Sequence, residues 1–286
     1  MSGTTHTPAF KFSSYTIQRF KHLQSLLDQL DPEAPPQAVI VPGSPIPEGN
    51  IIVFPGSFNP PTTAHLALLK QARQFAHTHE SAHLYVAISK RITDKETVER
   101  PLLLDRINLL DTVLRHHLRH TGIILFNRGL YVEQAEGVRV SFPQVRKLYF
   151  LIGFDKIVQI FDPHYYKDRD AALHELFELA ELLVAPRGGA GAAELAQLLD
   201  QPENRQFARY VHALPLSAAY QNISSTRIRQ SLDAHEHEVP PEVERFIRET
   251  HAYSPPQELA DGSKIDYYGE RMQAIEAALK SSSVEK

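Results

Sequence analysis

The chain has 286 residues, 30 of them basic and 34 acidic, giving a net charge of −4, and it contains no cysteine. Forty-two per cent of the residues are hydrophobic and 22% charged, the balance of a globular protein with ample length to bury a core. The slight acidity argues against a nucleic-acid binder, which carries a high pI and clustered Lys and Arg. The lack of Cys rules out disulfides, thiolate catalysis and Cys-based metal centres. The first 15 residues, MSGTTHTPAFKFSSY, lack the apolar core of a signal peptide, and no run approaches the ~20 apolar residues of a membrane span. A cytoplasmic location is expected, with the nucleus also open.

In chain order, the spacing of Ile17, Phe20, Leu23, Leu26, Leu27 and Leu30 predicts a helix over 13–30, capped by Ser13 or Ser14. Residues 31–50 are loaded with Pro and read as a linker or extended wrap, so residues 1–49 form an N-terminal helix and Pro-rich linker. A main domain is expected over 50–253. IIVFPGSF (51–58) reads as a buried strand and 62–78 as a helix, followed by a strand at 83–89. A leucine-rich helix at 102–118 leads to strands at 122–127 and 147–153. A helix starts near Asp155, another covers 170–177, and 179–186 is a further buried strand. Helices are predicted at 225–233 and 240–250, then a tail, 254–286, with a terminal helix. Short apolar strands alternating with helices imply a doubly wound, Rossmann-like α/β fold whose parallel sheet is covered on both faces.

In such a sheet, ligands sit beyond the carboxyl ends of the strands, where strand order reverses. The first strand of the domain runs into Gly56-Ser57-Phe58-Asn59-Pro60-Pro61-Thr62-Thr63-Ala64-His65. Gly56 permits a sharp turn and close approach to a ligand, and Pro61 suits a first helical position. Thr62 and His65, three residues apart, share a face near the positive end of the helix. Converging N–H groups, a hydroxyl and an imidazole form a receptor for an anion, most simply a phosphate. The same residues would also serve as a Pro-rich loop with a helix cap and a surface histidine. Far downstream, Asn222-Ile-Ser-Ser-Thr-Arg-Ile-Arg229 opens a second helix. There Ser225, Thr226 and Arg229 share a face, so hydroxyls and a guanidinium can meet one polyphosphate.

Taken together, GSFNPPTTAH and ISSTRIR resemble the nucleotidylyltransferase superfamily. More closely they are similar to the nicotinamide/nicotinate mononucleotide adenylyltransferases in the form with Thr in place of the first His of the loop. Leu151 to Lys156 (LIGFDK), Pro163 to Asp168 (PHYYKD), Val184 to Arg187 (VAPR) and Val243 to Tyr253 agree in order, so the resemblance spans roughly 50–253. It implies transfer of AMP from ATP to a pyridine mononucleotide, with Mg2+ accompanying the ATP and held largely by phosphate oxygens and water rather than by a protein metal site. His65, Thr62 and Arg229 would carry the chemistry. Gly56, Gly153, Asp155, Asn222, Ser225 and Thr226 would join His65 and Arg229 in holding ATP. Ser57, Phe58, Tyr166, Lys95 and Arg187 would meet the mononucleotide. Neither nucleic acid nor membrane is an expected partner.

The chain has no Trp, whereas animal members of this family stack the pyridine ring on tryptophans; Tyr166 stands at one such position and no counterpart of the second aligns. Arg106 either reaches the site or decorates its helix. His77-Thr78-His79 and His235-Glu236-His237 read as solvated surface. Gly188-Gly189-Ala190-Gly191 lacks the Lys of a P-loop and reads as a flexible crossing. Other readings are an adenylyl- or cytidylyltransferase acting on another phosphorylated acceptor such as phosphopantetheine, and a nucleotide-binding regulator whose site has decayed.

Overall fold

A computed structural model describes residues 10–79, 81–90, 100–231, 234–258 and 262–281. Seven strands form one sheet: β1 (Ala38–Ile40), β2 (Gly49–Pro55), β3 (Ala82–Ser89), β4 (Gly122–Phe126), β5 (Val145–Gly153), β6 (Glu181–Ala185) and β7 (Val211–Ala213). Their order is β1-β4-β3-β2-β5-β6-β7; β1 is antiparallel to β4 and every other pairing is parallel. The eleven α-helices among the described residues are α1 (Ser14–Gln29), α2 (Thr63–Thr78), α3 (Leu103–His117), α4 (Tyr131–Ser141), α5 (Phe154–Phe161), α6 (Arg169–Leu179), α7 (Ala192–Asp200), α8 (Ala218–Gln221), α9 (Ser225–Gln230), α10 (Pro241–Thr250) and α11 (Tyr267–Lys280). This is the doubly wound, Rossmann-like α/β architecture expected from the alternation of strands and helices.

Alternation along the strands divides the interior into two layers. Ile52, Phe54, Val86, Ile88, Leu125 and Leu151 face one side, with the buried residues of α1, α2, α3, α9 and α10. Ile51, Val53, Tyr85, Phe126, Phe150 and Ile152 face the other, against α4, α5 and α6. Both faces are covered, so the strands read as continuous apolar runs rather than as alternating ones.

The stretch before β2 is part of the body. Ser13 caps α1 by accepting from the Thr16 N–H at 3.1 Å. Phe20, Leu23, Leu27 and Leu30 are buried in the first layer, each worth roughly 1.5–3 kcal/mol. Residues 38–40, inside the Pro-rich stretch, extend the sheet beside β4. The end of the chain is fastened as firmly. Asp105, at 1% exposure, accepts from Arg271 Nε at 2.9 Å and Nη2 at 2.7 Å and from the Tyr268 hydroxyl at 2.8 Å. Arg100 forms a two-pronged pair with Asp266. These bonds lock α11 onto the start of α3.

The elements not expected include β1, β7, α4, α7 and α8, and the case of α4 turns on one glycine that packs beside β1. A Cβ on Gly137 of α4 would lie 3.2–3.3 Å from the backbone of Gln37, just before β1. Glycine lets the two run in contact, yet a mid-helix glycine obscures the helical pattern.

Candidate active site

The first sheet strand of the main domain, β2, sends its connection to β3 on one side while β5, β6 and β7 extend the sheet on the other. Strand order therefore reverses between β2 and β5, and a cavity of about 290 Å³ lies at their carboxyl ends. Its wall includes Gly56, Ser57, Thr62 and His65 from the β2–α2 connection. Gly153 and Lys156 come from the end of β5 and the start of α5, Arg187 follows β6, and Ser224 and Ser225 come from the start of α9.

The loop after β2 is shaped by Phe58. Its backbone is left-handed at φ 45, a costly conformation for a bulky residue. Its ring is 1% exposed and makes edge contacts with Phe54 at 5.4 Å and His65 at 5.0 Å. A Cβ on Gly56 would stand 3.1 Å from that ring, so close ring approach explains the glycine; the left-handed turn falls at Phe58. Helix α2 begins at Thr63, so Pro61 precedes the cap and Thr62 is the cap itself.

Thr62 and His65 form a capping box in which the imidazole replaces the usual carboxylate. The His65 N–H donates to Thr62 Oγ1 at 3.3 Å, and the Thr62 N–H donates to His65 Nδ1 at 2.9 Å. A backbone N–H has only a proton to offer, so Nδ1 must present its lone pair and the neutral ring carries its proton on Nε2. Burial, with the Arg187 guanidinium nearby, pushes the imidazole down to about 4 from its ordinary 6.5. His65 is thus a neutral N–H donor at physiological pH, bordering the cavity. The folded value lies below the unfolded one, so the unfolded chain binds more protons between pH 4 and 6.5. This stabilisation is complete above pH 6.5 and is lost as pH falls towards 4, by at most ~3 kcal/mol. Denaturant titrations of the wild type and His65→Ala from pH 7 to 4 are expected to converge by that amount.

Helix α9 is tied to the same loop. Ser224 is its cap, accepting from the Arg227 N–H at 3.2 Å, while the Ser225 hydroxyl donates to the Pro60 carbonyl at 2.8 Å. Arg229 Nη1 donates to the Asn59 carbonyl at 2.5 Å and Nη2 to Thr226 Oγ1 at 3.3 Å. Asn59, 4% exposed, also donates its amide to the Arg100 carbonyl at 3.1 Å and accepts from the Tyr253 hydroxyl at 2.7 Å. One asparagine therefore joins the first loop, α9, and the segments before α3 and after α10.

The other residues expected at the site fall variously. Asp155, in the first turn of α5, pairs with Arg187 Nε at 2.9 Å. Both partners are about half exposed or more, so the pair contributes at most ~1 kcal/mol and is easily exchanged. Asn222 ends α8, and its carbonyl accepts from Arg227 at 3.1 Å. Tyr166 bonds the Ile160 carbonyl through its hydroxyl at 2.8 Å. Phe58, Asp155, Asn222, Thr226, Arg229 and Tyr166 are absent from the cavity wall itself. Arg106 is buried and reaches the Ser57 carbonyl at 3.4 Å. Lys95 lies outside the described residues. Gly188 and Gly189 take left-handed φ of 61 and 89 in a tight turn closed by Arg187 and Ala190.

Tyr131 and Lys156 border the cavity without having been singled out. Lys156 stands inside the quoted LIGFDK stretch. Tyr131 opens α4, the helix hidden by Gly137.

The fold and site define a nucleotide-type α/β protein, with its cavity at the point of strand reversal and a capped helix start beside it. The cytidylyltransferase-like family model matches residues 53–231, more than half of the chain, and the protein belongs to that nucleotidyltransferase family. A candidate nicotinamide mononucleotide adenylyltransferase of Schizosaccharomyces pombe is 23% identical over 225 residues, covering 71% of this chain and 86% of that one. A solved structure described as that of a candidate nicotinate-nucleotide adenylyltransferase from Vibrio parahaemolyticus is similar over 70% of this chain and 99% of its own, at 15% identity and a TM-score of 0.38. Among the described residues no helix is long and apolar enough to cross a membrane.

Proposed function

We propose that the protein transfers the AMP moiety of ATP to nicotinamide or nicotinate mononucleotide, forming the dinucleotide and pyrophosphate. The observation that carries this reading is the neutral His65, whose Nε2–H is left to a ligand in the cavity at the strand reversal. Family membership and the name of the fission-yeast relative support it.

In this reading a phosphate oxygen of the mononucleotide attacks the α-phosphorus of ATP, the α–β anhydride bond breaks, and pyrophosphate leaves with the electron pair. The attacking phosphate is already anionic, so no general base is required. The protein must align two polyanions and stabilise charge that grows on the α-phosphate and the leaving group. His65 donates a hydrogen bond from a ring that neither gains nor loses a proton. Thr62 holds that ring and its tautomer. Arg187 and Lys156 supply positive charge at the mouth, while Asp155, released from Arg187, accepts from ribose hydroxyls. Tyr131 offers an aromatic face beside the cavity, the kind of surface a chain without Trp needs for a pyridine ring. Mg2+ would come with the ATP, held on phosphate oxygens and water, and would neutralise part of their charge.

Arg229 acts through the loop by fixing the Asn59 carbonyl. Arg229→Ala removes one of the two bonds that tie α9 to the loop, leaving that of Ser225, and displacement by about an ångström costs ~10²-fold; kcat/KM is expected to fall by up to that factor, with Arg229→Lys intermediate. The function itself is tested by incubating the protein with ATP, Mg2+ and each mononucleotide and detecting dinucleotide and pyrophosphate. CTP and phosphopantetheine serve as the competing substrates. Turnover only with those, or ATP binding without pyrophosphate release, would overturn the proposal.

A further inference from the structure

At the opposite end of the sheet, where β3 begins, a second cavity of about 350 Å³ is lined by Arg73 and His77 from α2, Ser81 and His83 around the start of β3, and Arg119 and His120 after α3. None of the described residues lining it is acidic; Glu80, which precedes Ser81 in the chain, lies outside the described residues. Two guanidiniums and three imidazoles from three separate elements therefore meet around one hollow. Arg73 is held in place there, its Nη2 donating to the Arg119 carbonyl at 2.8 Å and to Thr121 Oγ1 at 3.1 Å. His120 sits in the left-handed region at φ 67, in the turn between α3 and β4.

The competing explanation is that these cations answer the negative ends of α2 and α3, which stop beside the cavity. Magnitudes decide against it as the whole account. Each helix end amounts to about −0.5 charge, so two ends offset roughly one unit. The two arginines alone exceed that, before any imidazole is protonated. Among the described residues the hollow keeps a positive excess with fork-shaped donors at its edge, the combination that selects tetrahedral oxyanions.

We propose that this cavity is a second anion site, which takes inorganic phosphate or the phosphate group of a small phosphate ester. It lies some 18 Å from His65, since His65 and His77 are twelve residues apart along α2. It is therefore separate from the cavity at the strand reversal, and it stands whether or not adenylyl transfer does.

The test follows the ring Cε1–H signals of His77, His83 and His120 in the full chain by NMR, at constant pH and ionic strength. One arm adds sodium phosphate and a second adds phenyl phosphate; the His65 signal reports on the other cavity. The three signals are expected to move along one saturating curve, and the arm with the tighter curve identifies the source. Arg119, which is exposed and makes no side-chain bond to the other described residues, is changed in Arg119→Gln, and this is expected to weaken binding about tenfold, one lost charge-assisted contact. No saturation in either arm would overturn the proposal. So would equal shifts with sodium chloride, or an unchanged curve in the Arg119→Gln protein.

Discussion

A single turnover of adenylyl transfer is expected to slow by ~10²–10³-fold when His65 is replaced by alanine, the usual cost of one preorganised donor aimed at developing charge. The argument rests on the direction of one proton. Thr62 donates its N–H to Nδ1 at 2.9 Å, so the ring can offer only Nε2–H to a ligand. Protonating Nδ1 would set two donors against each other at that distance, which reinforces the depression to about 4 caused by burial and by Arg187. The ring consequently works as a fixed dipole rather than as an acid, and the rate should show no inflection from this group between pH 5 and 8. An ordinary imidazole would titrate near 6.5 in that window. Rapid-quench measurement at saturating ATP and mononucleotide separates the step from binding, and ATP affinity should change far less than the rate. Transfer by His65→Ala at close to the wild-type rate would remove His65 from the chemistry.

The two halves of this site were differently legible in the sequence. The loop from Gly56 to His65 announced itself, because a buried strand, a glycine, prolines and a capped helix follow one another within a dozen residues. The placement of α9 against that loop did not. Spacing suggested that Ser225, Thr226 and Arg229 would point together at a phosphate, whereas the Ser225 hydroxyl bonds the Pro60 carbonyl and the Arg229 guanidinium bonds Asn59. Helical periodicity shows which residues share a face; it does not show what that face meets. A non-local partner 165 or more residues away along the chain leaves no trace in local pattern. The strand β7 and the edge strand β1 escaped for a related reason. Each has three residues, too few for a period of two to register, and each is stabilised by its neighbour in the sheet.

The ends of the chain make the same point through packing. Composition separates the Pro-rich stretch before β2 from the domain, yet Asn127 donates its amide to the carbonyls of Asp31 and Pro35 at 2.9 Å. Prolines lack N–H groups but keep their carbonyls, and a buried asparagine collects them. The wrap is thereby held against the end of β4.

At the other end of the chain, Asp105→Ala is expected to cost ~3–5 kcal/mol of folding stability, the range for removing one member of a buried ion pair. The carboxylate holds three donors: two from Arg271, itself 13% exposed, and the hydroxyl of Tyr268, which is 1% exposed. Without it these donors remain buried with no acceptor, and the loss exceeds the net worth of the bonds themselves. Burial and the neighbouring carboxylate push the Tyr268 phenol far above its ordinary range, so in the folded protein the hydroxyl keeps its proton and donates it to Asp105. The Arg271 guanidinium also lies over Phe12 at 5.1 Å and Phe246 at 5.6 Å, which links α11 to the chain before α1 and to α10. Because these partners belong to the central layers, urea unfolding should remain a single transition shifted to lower concentration. Asp105→Asn keeps the shape and one acceptor, and should lose less. In a double-mutant cycle with Arg271→Met, the paired substitution should recover part of the loss, since no charge is then left stranded. An early separate transition confined to residues 262–281, with the rest unchanged, would show instead that α11 is a detachable appendage.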